Sequence, residues 1–184
     1  MAEQPLSLDA WAVLALLCEE DRHGWALVRA LAPDGEVGRV WSVRRAVVYR
    51  TVELLLDMEL VQRAGVEPGS RGSPRTLLRP GAQARSALAR WLTEPVPHVR
   101  DLRSALLLKL LFSQRAGRSN RRLLQAQRKL LTRTVAALET TGDADGAFEP
   151  TMRAFRLETA RAGLRFVEGE LGAATGGGTT RRRV

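Results

Sequence analysis

The chain has 184 residues, of which 45% are hydrophobic, and a formal net charge of +9, so it can bury one large core or two small ones. Its single cysteine, Cys18, excludes a disulfide framework and a cysteine zinc cluster, and we expect it to fill the core. The longest apolar run, residues 10–18, is far shorter than the roughly 18 residues of a membrane span, and no basic segment precedes it. We therefore expect a cytoplasmic protein that does not associate with a membrane.

The first part of the chain predicts two helices. The first carries an apolar stripe at helical spacing, made of Leu8, Trp11, Leu14 and Leu17. Ser7 or Asp9 can cap it. His23 and the following glycine break it, and we expect His23 to order this turn by hydrogen bonding, because no second metal ligand stands at ligand spacing. A second helix is expected from about Trp25 to Ala32, where the turn residues 33–35 end it.

A third helix is predicted after Trp41, which we expect to pack under it. Val48, Val52 and Leu55 recur at i, i+4 and i+7 and should face the core. The other face carries the residues that we expect to contact DNA: Arg44, Arg45, Tyr49 and Arg50. The net charge is −5 over residues 1–38 and +4 over residues 39–79, so the positive field begins near this helix. A GC-rich coding sequence, which favours arginine, is an alternative source of the basic composition.

Two strands, residues 60–66 and 75–79, are predicted after the third helix. The loop between them is rich in glycine, proline and serine, as in a hairpin tip. The hairpin residues that we expect to contact the DNA backbone are Arg71, Ser73 and Arg75. A helix followed at once by a small hairpin with basic tips is typical of a winged helix-turn-helix. This layout predicts double-stranded DNA as the partner of the chain.

The rest of the chain is predicted to be helical. A fourth helix after Pro80 should bury Ala84, Ala87, Leu88, Trp91 and Leu92, and the prolines at 95 and 97 mark a boundary. We predict a winged helix-turn-helix domain over residues 1–94, a helical dimerisation domain over 95–171 and a disordered Gly/Thr/Arg tail over 172–184. The amphipathic helices of the second domain cannot bury all their apolar stripes in one chain, which predicts a homodimer.

Four segments occur in the order and at the spacing of a known family. Residues 13–17 and 22–27 resemble the opening LGLL…HGYEI pattern, and residues 48–61 resemble the LYRxLxxLxxxGLV recognition segment. Residues 71–82 resemble the wing and the following helix start, and residues 91–110 resemble the WL…P…RD…K stretch. On these motifs the chain resembles the PadR family of transcriptional regulators over residues 6–112.

The chain departs from the pattern of this family at four places, one of which is Leu77-Leu78 in the second wing strand, where an aromatic pair is usual. Residues 44–46 replace a Ser-x-Gly opening of the recognition helix, which removes a side-chain cap and adds two charges. Glu59 replaces the glycine that supplies a left-handed helix cap. At the end of the third helix, three apolar residues occupy positions that are mostly charged in the family: Leu54, Leu56 and Met58. We expect another apolar surface to pack against this end of the helix.

Together the residues and the resemblance predict a homodimeric transcriptional repressor that binds a roughly palindromic operator. The resemblance implies that a small molecule, often an aromatic one, relieves the repression. Its candidate pocket lies near Trp11, Leu88 and Trp91. No metal site or cofactor is expected, and no enzyme is indicated, because the chain has no supported Ser/His/Asp grouping, no GxxxxGK[ST] loop and no HExxH motif.

Two other functions fit parts of the sequence. A nonspecific DNA-compacting protein would explain the many arginines and the basic tail. A helical protein-interaction adaptor would explain the apolar stripes. Competition with random DNA separates the first from a repressor, because a repressor keeps a large specificity ratio at physiological salt. Removal of the arginines at 45 and 50 should leave the binding of an adaptor intact.

Overall fold

The protein is described by a computed structural model that covers residues 6–67, 74–140 and 146–176. Its elements are α1 (Leu8–Glu19), β1 (Arg22–His23), α2 (Gly24–Ala30), α3 (Arg45–Asp57), β2 (Val61–Glu67), β3 (Arg75–Pro80), α4 (Ala84–Thr93), α5 (Leu107–Arg115), α6 (Arg121–Thr140) and α7 (Glu149–Gly176). A 3-10 turn, Val99–Asp101, and a π-helical turn, Leu102–Leu106, precede α5. The predicted fold, mainly helical with a small β wing, is confirmed.

The chain divides into two compact units. The first comprises Met1–Leu92 and Leu107–Gly117, and the second comprises Thr93–Leu106 and Arg118–Val184. Helix α5 thus groups with the first unit, and the domain boundary after residue 94 stays a prediction. In the described ranges, no helix is both long enough and apolar enough to cross a membrane.

Helix α1 forms the centre of the first unit. We expected one buried face, but Ala10 and all residues from Ala12 to Leu17 are buried. Helix α3 and strand β3 both pack against α1, so an apolar stripe on one side would not suffice. A helix that is hydrophobic on all sides is stable only when it is enclosed in this way.

Side chains cap the starts of α1 and α2, and the cap of α1 was predicted. The hydroxyl oxygen of Ser7 accepts from the backbone N–H of Ala10 at 3.2 Å. Asp9, the other candidate cap, instead accepts from the indole N–H of Trp41 at 2.7 Å and so fixes the segment before α3. Nδ1 of His23 accepts from the backbone N–H of Ala26 at 3.1 Å, which confirms that His23 orders its turn by hydrogen bonding.

Helix α3 ends in a Schellman motif. The backbone N–H of Leu60 donates to the carbonyl of Leu55, and the N–H of Glu59 donates to the carbonyl of Leu56, both at 3.0 Å. This pattern needs a left-handed residue after the helix, and Glu59 has φ 56°. The left-handed cap is therefore retained even though a glutamate occupies the position.

The wing, defined as strands β2 and β3, belongs to a three-stranded antiparallel sheet in the order β1, β3, β2. The predicted hairpin is present, and β3 also pairs with Arg22 and His23 through Leu78 and Leu77. This third strand was not predicted, because two residues are too few to show an alternating pattern. A bulge between Arg63 and Gly65 shifts the register of β2.

In the second unit, α6 and α7 pack against each other. Gln127 of α6 is fully buried; its side-chain oxygen accepts from the N–H of Val96 at 2.6 Å, and its amide nitrogen donates to the carbonyl of Val96 at 3.0 Å. Ala160 and Val167 of α7 are also fully buried. Helix α7 continues to Gly176, five residues past the predicted limit at 171. The remainder of the predicted tail, residues 177–184, lies outside the described residues.

Candidate nucleic-acid interface

Helix α3 presents one buried and one exposed face, as its spacing predicts. Val48, Val52 and Leu55 are buried in the core of the first unit. The exposed side carries what we call the recognition face, made of Arg44, Arg45, Tyr49 and Arg50. Tyr49 is 40% exposed, so its ring is not enclosed under the wing. All four side chains are therefore placed where a ligand of the first unit can reach them.

The start of α3 is suited to an anion. Arg44 is the N-cap residue and makes no side-chain hydrogen bond to the helix, which confirms that the expected side-chain cap is missing. The carbonyl of Arg44 accepts from the N–H groups of Val47 and Val48, but the first N–H groups of a helix have no acceptor within it. No acidic residue lies in the first turn. Free N–H groups, the helix dipole and two arginines all favour a phosphate here.

Arg45 is held against two aromatic rings. Its guanidinium carbon lies 5.5 Å from the ring centroid of Trp25 and 5.7 Å from that of Tyr49. The Tyr49 ring in turn lies against Gly24, where an added Cβ would be 2.8 Å from Cε1 of the tyrosine. The faces of aromatic rings attract a cation, and the guanidinium also carries five N–H donors that can bind a bidentate acceptor.

Sequence reasoning missed Trp25 as a residue of this interface. We placed it only at the start of the second helix, yet its side chain is 45% exposed and next to Arg45. Three of the four tryptophans, at 11, 41 and 91, pack on the core of the first unit. An aromatic residue in the first turn of a short helix, away from its apolar stripe, was the available signal.

A cleft of about 450 Å³ separates the start of α2, the exposed side of α3 and the wing. Its lining includes His23, Trp25, Tyr49, Arg63 and Arg75. The lining also includes Glu53, which pairs with Arg63 at 3.5 Å, and both side chains are more than 60% exposed. An exposed ion pair of this kind contributes little to stability. It therefore does not prevent a ligand from using the basic and aromatic groups of the cleft.

Only one of the three predicted wing residues can be located. Arg75 begins β3, is half-buried and lines the cleft. Arg71 and Ser73 lie outside the described residues. The structure therefore brings Arg75 together with the recognition face, while the contacts of the hairpin tip remain a prediction.

The predicted effector residues lie together in the core of the first unit. The rings of Trp11 and Trp91 stack with their centroids 5.0 Å apart and an interplanar angle of 12°. Leu88 packs on the same core, one turn before Trp91 on α4. Nζ of Lys109 lies 4.8 Å from the centre of the Trp91 ring and donates to the Trp91 carbonyl at 2.6 Å. These contacts stabilise the core, and effector binding at this place stays a prediction.

Metal-ligating side chains are dispersed over the part of the chain that the structure describes. No group of three or more His, Cys, Asp or Glu residues within it could hold a metal ion. Cys18 is half-buried on α1 and packs against the core of the first unit.

The fold and the recognition face define a winged helix-turn-helix protein with an additional helical unit. No protein-family model matches the chain. It is 28% identical over 96 residues to a probable transcriptional regulator of Mycobacterium tuberculosis, a match that covers 52% of this chain and 49% of that protein. The chain thus spans about half the length of this curated relative.

Among solved structures, the chain is similar to Bacillus subtilis PadR. The match to PadR in complex with operator DNA has 15% identity, covers 93% of this chain and 99% of that one, and has a TM-score of 0.47. The match to PadR in complex with p-coumaric acid has 16% identity, covers 95% and 99% of the two chains, and has a TM-score of 0.41. These solved structures carry the name of the family that the sequence motifs resemble.

Proposed function

We propose that the chain is a sequence-specific DNA-binding transcriptional regulator that acts in the cytoplasm as a homodimeric repressor. The observation that carries this proposal is the recognition face of α3, which lies beside the wing in one unit and is exposed along its length. An α-helix fits the major groove of B-DNA, where base edges distinguish all four base pairs. The curated relative, described as a probable transcriptional regulator, agrees with this function.

The residues divide between reading bases and holding the backbone. Arg45 and Arg50 are proposed to enter the major groove, where a bidentate contact to a base edge discriminates by about 1–3 kcal/mol and where the charge of each arginine also neutralises a nearby phosphate. Arg44 and the free N–H groups at the start of α3 are proposed to bind a phosphate, and Tyr49 borders the groove. On the wing, Arg71, Ser73 and Arg75 would hold the backbone and set the register without reading sequence.

The homodimer is proposed from the exposed face of α7. Phe155 and Phe166 are 73% and 41% exposed, and their spacing puts them on one side of the helix, away from the buried Ala160 and Val167. Large apolar side chains aligned on one helix face favour burial against a partner. A second copy of the chain would bury the same stripe in a symmetric interface and would place two recognition faces on one duplex.

The proposed relief of repression by a small molecule rests on the family resemblance of the sequence. The candidate site remains the neighbourhood of Trp11, Leu88 and Trp91. A ligand that shifts the dimer away from DNA must bind the non-binding state more tightly than the binding state. Titration of hydroxylated aromatic acids against the protein on DNA tests for such a ligand.

The salt dependence of DNA binding tests the roles of the arginines. Replacement of both Arg45 and Arg50 with Ala should weaken operator binding and should flatten the slope of log K against log salt by about one unit for each DNA phosphate that is no longer neutralised. The matched control, replacement of Arg29 and Arg103 with Ala, removes the same charge outside α3 and should leave the slope close to that of the wild type. An unchanged slope in the first variant would refute these roles.

A further inference from the structure

The hydrogen bond that caps α2 fixes the proton of His23. Nδ1 accepts from the backbone N–H of Ala26 at 3.1 Å, so this nitrogen carries a lone pair and no proton. A neutral imidazole has one N–H group, and which nitrogen carries it follows from the bond that the other nitrogen makes. The proton of His23 therefore lies on Nε2, which is a donor.

This donor faces a second donor. Nη1 of Arg75 lies 3.4 Å from Nε2 of His23, and a guanidinium has N–H groups but no acceptor. While the cap is in place, the two nitrogens cannot bond to each other. This holds whatever other contacts the Arg75 guanidinium makes. A single acceptor that both N–H groups can reach, such as an anionic oxygen, would bond to the two of them together.

We infer that His23 and Arg75 form a binding site for a phosphate oxygen, which we call the donor pair. The inference rests on the proposed function, because the phosphate that we assign to the site belongs to the DNA backbone. One of the donors is positively charged, and charge-assisted hydrogen bonds to phosphate are about twice as strong as neutral ones. Both side chains are half-buried and line the cleft, so they are partly fixed yet accessible.

The position of the donor pair favours a backbone phosphate over a free one. Gly24, the neighbour of His23, touches the Tyr49 ring of the recognition face, and Arg75 begins the strand that leaves the hairpin tip. A duplex whose major groove receives α3 has a phosphate strand beside that groove, where a wing can contact it. Free inorganic phosphate offers the same oxygens and is the other source that the experiment must distinguish.

Variants of His23 separate its two hydrogen bonds. His23→Asn keeps a side-chain oxygen for the Ala26 N–H, because Asn is among the best N-cap residues, but it lacks the Nε2 donor. His23→Ala loses both bonds. We expect His23→Asn to melt close to the wild type and yet to bind operator about tenfold more weakly, as expected for a lost hydrogen bond to a charged group. His98→Asn is the matched control and should bind as the wild type does.

Replacement of single DNA phosphates with uncharged methylphosphonates locates the contact. The wild type should lose affinity at one phosphate in each half-site, and both His23→Asn and Arg75→Gln should be insensitive at that same phosphate. Arg29→Gln, which removes one charge from the last turn of α2, should keep the sensitivity of the wild type. A purely structural role of His23 would not remove sensitivity at one phosphate, so equal losses in His23→Asn and the wild type would overturn the inference.

Nitrogen NMR of the histidine rings tests the donor pair without DNA. The expected spectrum shows the His23 proton on Nε2, and titration with inorganic phosphate should shift the His23 signals but not those of His98. A His23 proton on Nδ1 would overturn the inference. If phosphate shifts the His23 signals but the protein prefers no duplex, the anion site stands, its ligand is a free phosphate, and the proposed DNA-binding function fails.

Discussion

Glu59 adopts a left-handed conformation that an L-residue with a side chain rarely adopts. The Schellman motif at the end of α3 requires this conformation, and the family pattern places glycine here. A residue other than glycine is destabilised by roughly 1–2 kcal/mol in this region, while glycine loses more backbone entropy on folding, by roughly 0.5–1 kcal/mol. Glycine at position 59 should therefore make the fold more stable than the native glutamate does.

We predict that Glu59→Gly raises the free energy of unfolding by about 0.5–1 kcal/mol. The reason is the relief of left-handed strain, partly offset by the entropy of the unfolded chain. Glu53→Gly, at an exposed position inside α3, is the control and should lower stability by about 1 kcal/mol. Urea unfolding of the three proteins measures the differences. A destabilised Glu59→Gly variant would contradict the role given to this position.

Lys109 is a buried cation whose role the sequence did not reveal. The sequence predicted only that it lies in a helical part of the chain, yet Nζ donates to the Trp91 carbonyl in the last turn of α4. Carbonyls in the last turn of a helix lack partners within it, and a lysine can supply one. Lys109 thus ties α5 to the end of α4 within the first unit.

We predict that Lys109→Met lowers the free energy of unfolding by about 1–3 kcal/mol, because it leaves a buried carbonyl without its donor while keeping the volume of the side chain. The other lysine of the chain, Lys129, is exposed on α6, and Lys129→Met should change stability by less than about 0.5 kcal/mol. Thermal melts of both variants give the comparison. Equal melting temperatures for the two would show that the Lys109 contact contributes nothing.

At the scale of single residues, the sequence predicted roles where local chemistry decides them. Ser7 and His23 are caps because their side chains can reach N–H groups three residues ahead. The sequence could not predict the partners of Trp25 or Lys109, because those contacts join elements that are distant along the chain. The sequence also could not show that the tautomer of His23 matters, because it matters only next to Arg75, which is 52 residues away along the chain.

Among the elements, charged side chains connect the ends of α1 and α5. Arg115 at the end of α5 donates to both carboxylate oxygens of Glu19, at 2.6 and 2.7 Å, and to Glu36 at 3.1 Å. Arg22 of β1 donates to the other oxygen of Glu36 at 3.0 Å. These bonds to Glu19 and Glu36 raise the pKa of Arg115 and outweigh the effect of partial burial.

Glu36 makes this cluster sensitive to acid. Partial burial works to raise the pKa of Glu36, but hydrogen bonds and charge from Arg115 and Arg22 outweigh it, so the pKa lies below its ordinary value of 4.5. A carboxylate with a lowered pKa stabilises the fold above the unfolded value, and this stabilisation is lost as the pH falls through the lower folded value. Because Glu36 is partly exposed, the effect is at most about 1 kcal/mol.

We predict that Glu36→Gln is less stable than the wild type near neutral pH and that the difference shrinks below about pH 4.5. Urea unfolding of both proteins between pH 3 and pH 7 measures the difference. Added salt should also reduce it, because the groups are partly exposed to solvent. A stability difference that stays constant over this range would contradict the ion-pair origin.

The elements themselves were predictable in proportion to their length and pattern. Helix α3 shows its buried face in the spacing of three residues, and the hairpin shows in its loop composition. Strand β1 is too short to carry a pattern, and α1 is apolar on all sides, so spacing alone could not tell that it is enclosed. Helix α1 is enclosed by α3 and β3, and these elements contact α1 only in the folded chain.

For the whole molecule, the central structural proposal is a dimer formed through α7. This helix has 28 residues and is therefore about 42 Å long, enough for an extended interface. Its buried residues pack within the second unit, while Phe155 and Phe166 remain exposed. The sequence predicted that one chain cannot bury all the apolar stripes of the helices in the second domain. The exposed rings of Phe155 and Phe166 support this prediction.

We predict that the double variant Phe155→Glu and Phe166→Glu is monomeric, because carboxylates cannot be buried unpaired in a symmetric interface. Light scattering during size-exclusion chromatography should give twice the chain mass for the wild type and once for the variant. Ala154→Glu places a carboxylate on a different side of α7 and should remain a dimer. A wild-type monomer would refute the dimer.

A footprint of the purified protein on the DNA just upstream of its own coding region tests sequence-specific binding by a dimer most directly. We predict a protected inverted repeat, with half-sites one helical turn or a multiple apart, that survives an excess of random DNA at physiological salt. Protection without symmetry, abolished by random DNA, would contradict this prediction and favour nonspecific compaction. No protection at any salt concentration would contradict it as well and favour the helical adaptor.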